Sequence, residues 1–327
     1  MSQLTFRSLH PDDLEAVCDI DSRIVGRSRR GFYEKRLTVA TASPETFITS
    51  AALQSGHLRG FAFVRLQEGE YGQAGRLAIF DVIGVDPDVQ GKGIGSAVLA
   101  AIEQRMRKRD VAQLRTEVDW NDHGMTRFFS TSGFSLTAGR ILERDTSPLA
   151  EPVAEMTSVR MDGQWRVHSG PGGNDYDTLS RDRVLTRSLQ EADLDDVVRI
   201  DRKLTGRERG DYYQTKFREM LVESGIRVSL VAERDGIITG FIMARVDYGE
   251  FGRASQTATL DTIGVHPAEQ GTGVGRALLS QLLNNLATLQ VEALRTQVAW
   301  EEYELRRFLQ RCGFNPSQRL LLGKTII

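Results

Sequence analysis

Apolar residues recur at helical spacing in two segments of the first half of the chain, residues 12–23 and residues 94–106. Residues 77–85 and 114–120 read as strands, and a last strand near 140–144 closes the unit. Strands joined by a crossover helix and followed by further strands indicate an α/β fold, with a mixed sheet and flanking helices.

The chain repeats itself at a constant offset of 180 positions without gaps. Between residues 81 and 99, 11 of 19 positions are identical to their partners in the repeat. Each unit also carries a hairpin-turn signal, Ser55-Gly56 in the first and Asp235-Gly236 in the second. One period of this length indicates two tandem domains and not a solenoid.

We place one domain at residues 1–145, a linker at 146–181 and a second domain at 182–327. Units of this size are large enough to fold around separate cores. The linker holds proline and glycine turn signals, and its piece Met161–Trp165 is predicted to form a short hairpin.

Composition limits the function classes. The formal net charge of −2 argues against nucleic acid as a partner. No apolar run approaches the roughly 18 residues of a membrane span, so we expect no membrane partner. The start of the chain shows no signal peptide, and Cys18 and Cys312 suggest no disulfide framework, so we expect a reducing cytoplasm. The scattered histidines predict no metal site.

Each unit contains a glycine-rich loop between a strand and a helix, at residues 90–95 and 270–275. Glycines let the main chain approach a diphosphate closely, and the first turn of the helix offers unpaired N–H groups and a positive dipole end. This is the physical chemistry of a pyrophosphate cradle. The G-x-G-x-G spacing matches neither the P-loop nor the dinucleotide-binding fingerprint.

The segment Val85-x-Pro-x-x-Gln-Gly-x-Gly-Ile-Gly-x-x-x-Leu and its repeat from Val265 resemble the acetyl-CoA signature of the GNAT acetyltransferase superfamily. The closing Phe-x-x-x-x-Gly-Phe, ending at Phe134 and at Phe314, resembles that family's C-terminal helix-to-strand signature. The resemblance implies two tandem GNAT domains, each with a splayed sheet in which acetyl-CoA enters where two parallel strands part. It also implies direct acyl transfer to an amine in a ternary complex.

The resemblance assigns cofactor contacts to the strand end and loop of each unit. The main chain of Ile83 and Val85 is implied to bind the pantetheine arm and thioester, with the N–H of Ile83 as the main donor to the developing oxyanion. The first cradle comprises Gln90, Gly91, Lys92, Gly93, Ile94, Gly95 and Ser96. The second set comprises Ile263, Val265, Gln270, Gly271, Thr272, Gly273, Val274, Gly275 and Arg276.

The resemblance also implies a general base on the strand ahead of the loop. Alternation places every second residue from 79 to 85 on one face of that strand. Asp81 and Asp261 occupy matching places, and our hypothesis is that they act as general bases, directly or through water. The alternative is that each carboxylate accepts backbone N–H bonds where the strands splay.

Glu117 on the next strand is a further catalytic candidate, the alternative being a surface charge at a strand edge. Glu117 and Asp119 are replaced in the second unit by Gln297 and Ala299. If one unit has lost its chemistry, we expect it to be the second.

The resembled family usually has a tyrosine acid four residues before the closing Gly-Phe, but this sequence has Phe129 and Leu309 there. A tyrosine of the segment after the first helix, or bulk water, is the substitute we consider, against an ordinary core or surface role for the tyrosine. The resembled fold covers the acceptor site with that segment. Binding of an acidic or carboxylate-bearing acceptor is predicted for Arg27, Arg29, Tyr33 and Tyr213, the alternative being solvated helix faces.

The leading prediction is a cytoplasmic N-acetyltransferase with at least one active unit, acting on a primary amine of a small molecule or a protein. One alternative makes one unit catalytic and the other a degenerate cofactor- or substrate-binding scaffold. Another is a non-catalytic acetyl-CoA sensor, because the tyrosine is missing from both units. The two units fit either a monomer that is an internal pseudo-dimer or a homodimer.

Overall fold

The computed structural model describes residues 3–68, 76–149, 184–218, 220–221, 226–248 and 256–326. The predicted hairpin at Met161–Trp165 and most of the predicted linker lie outside these residues. Among the helices that are described, none is both long and apolar enough to cross a bilayer.

The two halves contain the same series of helices and strands. The first half contains β1 (Leu4–Arg7), α1 (Leu14–Val25), α2 (Arg30–Ala42), β2 (Phe47–Gln54), β3 (His57–Glu68), β4 (Arg76–Val85), α3 (Ile94–Arg107), β5 (Gln113–Asp119), α4 (His123–Thr131), β6 (Ser135–Leu136) and β7 (Arg140–Asp145). The second contains β8 (Leu185–Ser188), α5 (Leu194–Thr205), α6 (Gly210–Arg218), β9 (Leu230–Arg234), β10 (Ile237–Tyr248), β11 (Gln256–Val265), α7 (Val274–Thr288), β12 (Ala293–Val298), α8 (Tyr303–Arg311), β13 (Asn315–Pro316) and β14 (Arg319–Thr325).

Both predicted hairpins form. The turn residues Ser55 and Gly56 have φ of 52° and 80°, and Asp235 and Gly236 have φ of 54° and 75°. Positive φ at both central residues is the geometry that matches the twist of the flanking strands. These turns place β2 beside β3 and β9 beside β10.

Each sheet buries apolar side chains on both faces. In the first half, α1 and α2 cover a cluster that contains Tyr33, Phe61 and Phe63. On the opposite face, α3 packs on a cluster that contains Phe80 and Phe129. The second half has the same two clusters. Successive strand residues point to opposite faces, so each sheet is a central layer between helices.

The parallel strands of each sheet part after a short pairing. β4 pairs with β5 only from Leu77 to Ile79, and β11 pairs with β12 only from Thr257 to Thr259. Past that point the Thr116 hydroxyl donates to the main-chain oxygen of Phe80 at 3.0 Å. The predicted fold, a mixed sheet splayed between two parallel strands, is confirmed.

The prediction that the strand at 140–144 closes its own unit is wrong. β7 pairs with β12 of the second half, and β14 pairs with β5 of the first half. The chain crosses between the sheets after β6, where a Cβ on Gly139 would lie 2.9 Å from Leu321 Cδ2. An alternating strand pattern fixes which side chains face inward but not which neighbour the strand joins. The domain bounds 1–145 and 182–327 stay predictions, since each sheet takes a strand from the other half.

Candidate functional site

The main chain at the end of β4 faces the gap between β4 and β5. Asp86 N–H donates to Arg59 O at 3.0 Å, in register with the β3–β4 ladder. Hydrogen-bonded and non-hydrogen-bonded residues alternate in an antiparallel ladder, so the polar groups of Val85 and Ile83 point away from β3. β5 no longer pairs with β4 there, so these groups line an open strand edge, at which Gln90 Nε2 donates to the Val85 oxygen at 3.0 Å.

The second half repeats this edge. His266 N–H donates to Thr239 O at 2.8 Å, in register with the β10–β11 ladder. The same alternation turns the polar groups of Val265 and Ile263 toward the gap between β11 and β12.

A glycine loop and a helix N-terminus follow each open edge. Gly91 and Gly93 have φ of 75° and 80°, and Gly271 and Gly273 have φ of 78° and 93°. A Cβ added at any of the four would meet no atom within 4 Å, so the space in front of each loop is open. Gly93 and Gly273 are also the N-caps of α3 and α7, and neither helix has a side-chain cap. The first amide groups of both helices are therefore left to face a ligand.

Side chains around the two loops differ. Lys92 Nζ donates to the main-chain oxygen of Asp88 at 3.3 Å, and Thr272 Oγ1 donates to that of Glu269 at 2.7 Å. Arg276 is half-buried in the first turn of α7, where the first half has the exposed Ser96. The main-chain cradle is thus common to both halves, while the nearby cation is placed differently. Open edge, glycine loop and helix N-terminus together fit a pyrophosphate carried on an extended arm.

A bulge in β4 changes the predicted faces of this strand. The β3–β4 register shifts between Phe63 and Val64 and leaves Asp81 as the extra residue. Ile83 and Val85 pack on the side of α3, whereas Asp81 contacts Arg36 of α2. The prediction that residues 81, 83 and 85 share one face is therefore wrong.

Asp81 is fully buried between two arginines. Arg65 Nε and Nη2 donate to its two oxygens at 2.6 and 2.9 Å, and Arg36 Nη1 lies 3.2 Å from Oδ2. Burial by itself raises the pKa of this carboxyl, but the charges of Arg65, Arg36 and Arg245 of the second half outweigh burial and lower the pKa. A carboxylate held ionised by several cations is a weak proton acceptor. The role of Asp81 as general base stays a prediction.

Asp261 has the corresponding place in the second half. Arg245 Nη1 lies 2.5 Å from Asp261 Oδ1, and the side chain of Asp261 is buried. Arg65 and Arg245 match in the repeat, so both halves bury an aspartate against an arginine of the preceding strand. A base role for Asp261 likewise stays a prediction.

Glu117 lies just past the last residue of β5 that pairs with β4, and it remains paired with Leu321 of β14. Its neighbours Leu114 and Val118 point into the cluster under α3, so Glu117 faces the opposite side of the sheet. Its side chain is 20 % exposed, and Gln297 and Arg319 of the second half contact it. Glu117 is therefore the more accessible of the two carboxylates predicted for this half.

The tyrosines and arginines after α1 form buried clusters. Tyr33 OH donates to Asp21 at 2.7 Å, and Arg29 donates both to Asp21 and to Tyr33 OH. Burial raises the pKa of Tyr33 well above its usual value, and the charge of Arg29 only partly opposes this. Tyr213 OH donates to Asp201 at 2.8 Å in the same way. These contacts give Arg29, Tyr33 and Tyr213 a structural role, and their binding of an acceptor stays a prediction.

Arg27 is exposed at the end of α1, so the acceptor contact predicted for it also stays a prediction. Phe129 and Leu309 are completely buried in the clusters under α3 and α7. Phe129 stacks edge-on against Phe80 and Phe134, at ring-centre distances of 5.8 and 4.8 Å. Neither position offers a proton donor.

The comparison with protein families decides the identity of the fold. The sequence profile described as "Acetyltransferase (GNAT) family" matches residues 13–134 and 194–314, one match in each half. The chain belongs to the acetyltransferase (GNAT) family. Members of this family use acetyl-CoA and transfer its acyl group to an amine. The GNAT resemblance, the tandem arrangement and the acetyl-CoA cofactor are thus confirmed.

Among curated proteins, the chain is similar to the [ribosomal protein bS18]-alanine N-acetyltransferase of Escherichia coli (strain K12). The two are 28 % identical over 131 residues, which are 40 % of this chain and 80 % of the relative.

Two solved GNAT structures match 99 % of the chain and show the fold alone. A tandem GNAT protein from the clavulanic acid biosynthesis pathway, solved without AcCoA, has a TM-score of 0.64, 19 % identity and 99 % of its own length covered. The glucosamine N-acetyltransferase region of a fungal multi-domain GH3 β-N-acetylglucosaminidase has a TM-score of 0.62 and 14 % identity. The chain spans only 38 % of that fungal protein.

The sequence did not predict the arginines that contact the three candidate catalytic carboxylates, Asp81, Asp261 and Glu117. Arg65 and Arg245 carried a signal, since both halves have arginine at the same place of the repeat. Arg319 carried none, because the exchange of β14 brings it to Glu117 and no pattern in the sequence reports that exchange.

Proposed function

We propose that the protein is an acetyl-CoA-dependent N-acyltransferase that acts on a primary amine of a small molecule or of a protein. One observation carries the proposal: each half places an open strand edge, a positive-φ glycine loop and an uncapped helix N-terminus at the point where two parallel strands part. The E. coli relative, by its name, acetylates an alanine of a protein, and this supports an amine acceptor.

The main chain of the first half performs the binding. The amides of Gly91 to Ser96 hold the pyrophosphate, and the N–H of Ile83 stabilises charge that develops on the thioester oxygen. When bound, acetyl-CoA supplies the activated acyl group. The loop and helix of the second half, from Gln270 to Arg276, bind in the same manner because their geometry is the same.

Proton transfer from the amine falls to Glu117 in the first half. Glu117 is partly exposed beside the strand gap, whereas both oxygens of Asp81 are bound by arginine. A positioned general base contributes about 10²–10⁴-fold to the rate. Water protonates the leaving thiolate, since Phe129 has no proton to give.

A second candidate makes the first half catalytic and the second a cofactor-binding scaffold. The observation that favours it is the replacement of Glu117 and Asp119 by Gln297 and Ala299 on the matching strand. In this reading both halves bind acetyl-CoA and only one turns it over.

Release of the coenzyme A thiol tests the proposal against a non-catalytic sensor. The full chain is mixed with acetyl-CoA and one amine at a time: a peptide with N-terminal alanine, a lysine-containing peptide, spermidine or glucosamine. We expect thiol release above the amine-free rate with at least one of them, and the acetylated product by mass spectrometry. Binding of acetyl-CoA without thiol release from any amine contradicts the enzyme and supports the sensor.

A further inference from the structure

Glu117 is held by two residues of the second half. Gln297 Nε2 donates a hydrogen bond to Glu117 Oε1, and Arg319 Nε lies 3.3 Å from Glu117 Oε2. Arg319 Nη2 also donates to the main-chain oxygen of Glu117 at 3.3 Å. Arg319 belongs to β14, the strand that the second half contributes to the first sheet. Both carboxylate oxygens are thus contacted from the other half.

The contact lies on the internal symmetry axis of the chain. Gln297 is the counterpart of Glu117 in the repeat, and the reciprocal exchange of β7 and β14 relates the halves by an approximate twofold. In a twofold arrangement a residue touches its own counterpart only near the axis. Glu117 therefore stands at the junction of the halves.

The orientation of the Gln297 amide follows from chemistry. An ionised carboxylate only accepts hydrogen bonds, so the amide nitrogen must face Glu117. The amide oxygen of Gln297 is then buried, and no described residue donates to it. Buried polar atoms in folded proteins normally have a hydrogen-bond partner, so this oxygen is available to accept a hydrogen bond from a ligand.

Glu117 has acceptor capacity to spare. A carboxylate has about four lone-pair positions, and Gln297 Nε2 occupies one of them on Oε1, while Arg319 Nε forms an ion pair with Oε2 without a hydrogen bond. The Gln297 amide nitrogen donates to Glu117, so the oxygen of the same amide is a second acceptor, one amide group away from the carboxylate. A neutral primary amine has two N–H groups and can donate to both, whereas a secondary amine can donate to only one.

We propose that Gln297 and Arg319 are positioning residues for Glu117, and that the first acceptor site is built by both halves and selects primary over secondary amines. The inference rests on the proposed transfer to an amine. It concerns the first half alone, because the second half has Gln297 in place of the carboxylate and Gly139 at the place of Arg319.

The test uses the full chain, acetyl-CoA and the panel amine with the highest thiol release. Arg319→Gln is expected to lower kcat/KM for the amine roughly 10- to 100-fold while KM for acetyl-CoA stays unchanged, because the carboxylate is misplaced. Arg319→Lys is expected to restore part of the rate. In a Glu117→Gln background, Arg319→Gln is expected to add less than about twofold.

Arg295→Gln is the matched control. Arg295 forms another ion pair between the halves, with Nε 3.0 Å from Glu143 on β7, and its contacts among the described residues do not include Glu117. The kcat/KM of the Arg295→Gln variant is expected to stay within about twofold of that of the unsubstituted protein. Thermal unfolding measures how far each variant is destabilised. If the two variants lose the same rate, or if the losses multiply in the Glu117→Gln background, the inference is overturned.

The Gln297→Ala variant provides an independent test if Arg319→Gln does not fold. The ratio of kcat/KM for the chosen amine to that of its N-methyl derivative is measured. We expect a ratio well above one that falls several-fold in Gln297→Ala, and an unchanged ratio overturns the inference. Absence of thiol release from the unsubstituted protein overturns the proposed function and this inference together. If the unsubstituted protein releases thiol but the Arg319 and Gln297 variants do not show the expected changes, the inference alone is overturned.

Discussion

The two halves of this GNAT protein are alike where acetyl-CoA is expected and unlike where the acceptor is expected. Both have the open strand edge, the two positive-φ glycines and the glycine-capped helix. On the acceptor side, Glu117 faces Gln297 and the place of Arg319 is taken by Gly139.

The difference follows from which atoms do the binding. A pyrophosphate is held mostly by main-chain amides, so Thr272 can replace Lys92 without changing the cradle. Accepting a proton from the amine needs a particular side chain, so under the proposed role of Glu117 the glutamine at the matching position, Gln297, cannot act as the base. The cofactor side therefore argues for two binding sites, and the acceptor side argues for one catalytic site.

The largest expected effect is the loss of stability when one of the buried aspartates, Asp81 or Asp261, is replaced. Asp81→Asn leaves Arg65 and Arg36 buried without their carboxylate, and we expect the free energy of unfolding to fall by about 3–5 kcal/mol. Asp261→Asn should cost less, since Arg245 is more exposed than Arg65. Urea unfolding followed by tryptophan fluorescence measures both.

The exposed Asp110→Asn is the control for these substitutions, with an expected change within about 0.5 kcal/mol. Equal stability of Asp81→Asn and the control would contradict the buried ion-pair account. Activity at a temperature where the variant is folded adds a second reading: a rate within twofold of the unsubstituted protein would eliminate Asp81 as general base.

A smaller expected effect is a loss of local stability at acid pH around Asp86, which leads into the first glycine loop. Burial alone would raise the pKa of Asp86, but hydrogen bonds from Asp88 N–H and Arg59 and the charge of Arg23 hold it below its ordinary value. A carboxyl with a lowered folded pKa stabilises the fold above its unfolded pKa and loses that contribution as pH falls through the folded pKa. We therefore expect amide exchange at residues 86–93, corrected for intrinsic exchange, to quicken below about pH 4.

The second half has His266 at this place, so residues 266–273 should lack the acid response that depends on Asp86; the ion-paired carboxylate of this segment is Glu269, which contacts Arg234 of β9. Asp86→Asn should cost about 1.5–3 kcal/mol at neutral pH and flatten the acid response of the first loop. Asp88→Asn, with an exposed side chain, serves as control. The same acid response in Asp86→Asn as in the unsubstituted protein would contradict this assignment.

The smallest expected effects come from the cations beside the cradles. Lys92→Ala and Arg276→Ala should each weaken acetyl-CoA binding at one site by about two- to fivefold at low salt, because each cation adds to the field of a helix N-terminus. The effect should shrink at high salt. Lys108→Ala, at the other end of α3, is the control in the same calorimetric titration. A loss above about 100-fold would mean that side chains, and not the main chain, hold the pyrophosphate.

Much of the likeness between the two halves can be predicted from the sequence. The repeat, the hairpin turns at Ser55-Gly56 and Asp235-Gly236, and both glycine loops depend on local residue chemistry, which a single chain displays. The bulge at Asp81 was not readable, because one inserted residue leaves the surrounding alternation intact on either side.

The exchange of β7 and β14 was not readable either. Arg140–Asp145 has a strand pattern that suits either sheet, and only the three-dimensional crossing after β6 decides between them. Everything that the exchange brings together, above all Arg319 with Glu117, was therefore beyond the sequence. The match of Arg65 with Arg245 was within reach, since both lie at the repeat offset.

The most direct measurement is a calorimetric titration of acetyl-CoA into the full chain, into Gly93→Asp and into Gly273→Asp. Aspartate and asparagine adopt positive φ more readily than other non-glycine residues, and the aspartate charge opposes a pyrophosphate at the helix N-terminus, while Gly93→Asn and Gly273→Asn control for shape and backbone strain. We predict two sites in the unsubstituted protein and the loss of one with each aspartate. Binding that neither aspartate affects would contradict the assignment of acetyl-CoA to these loops.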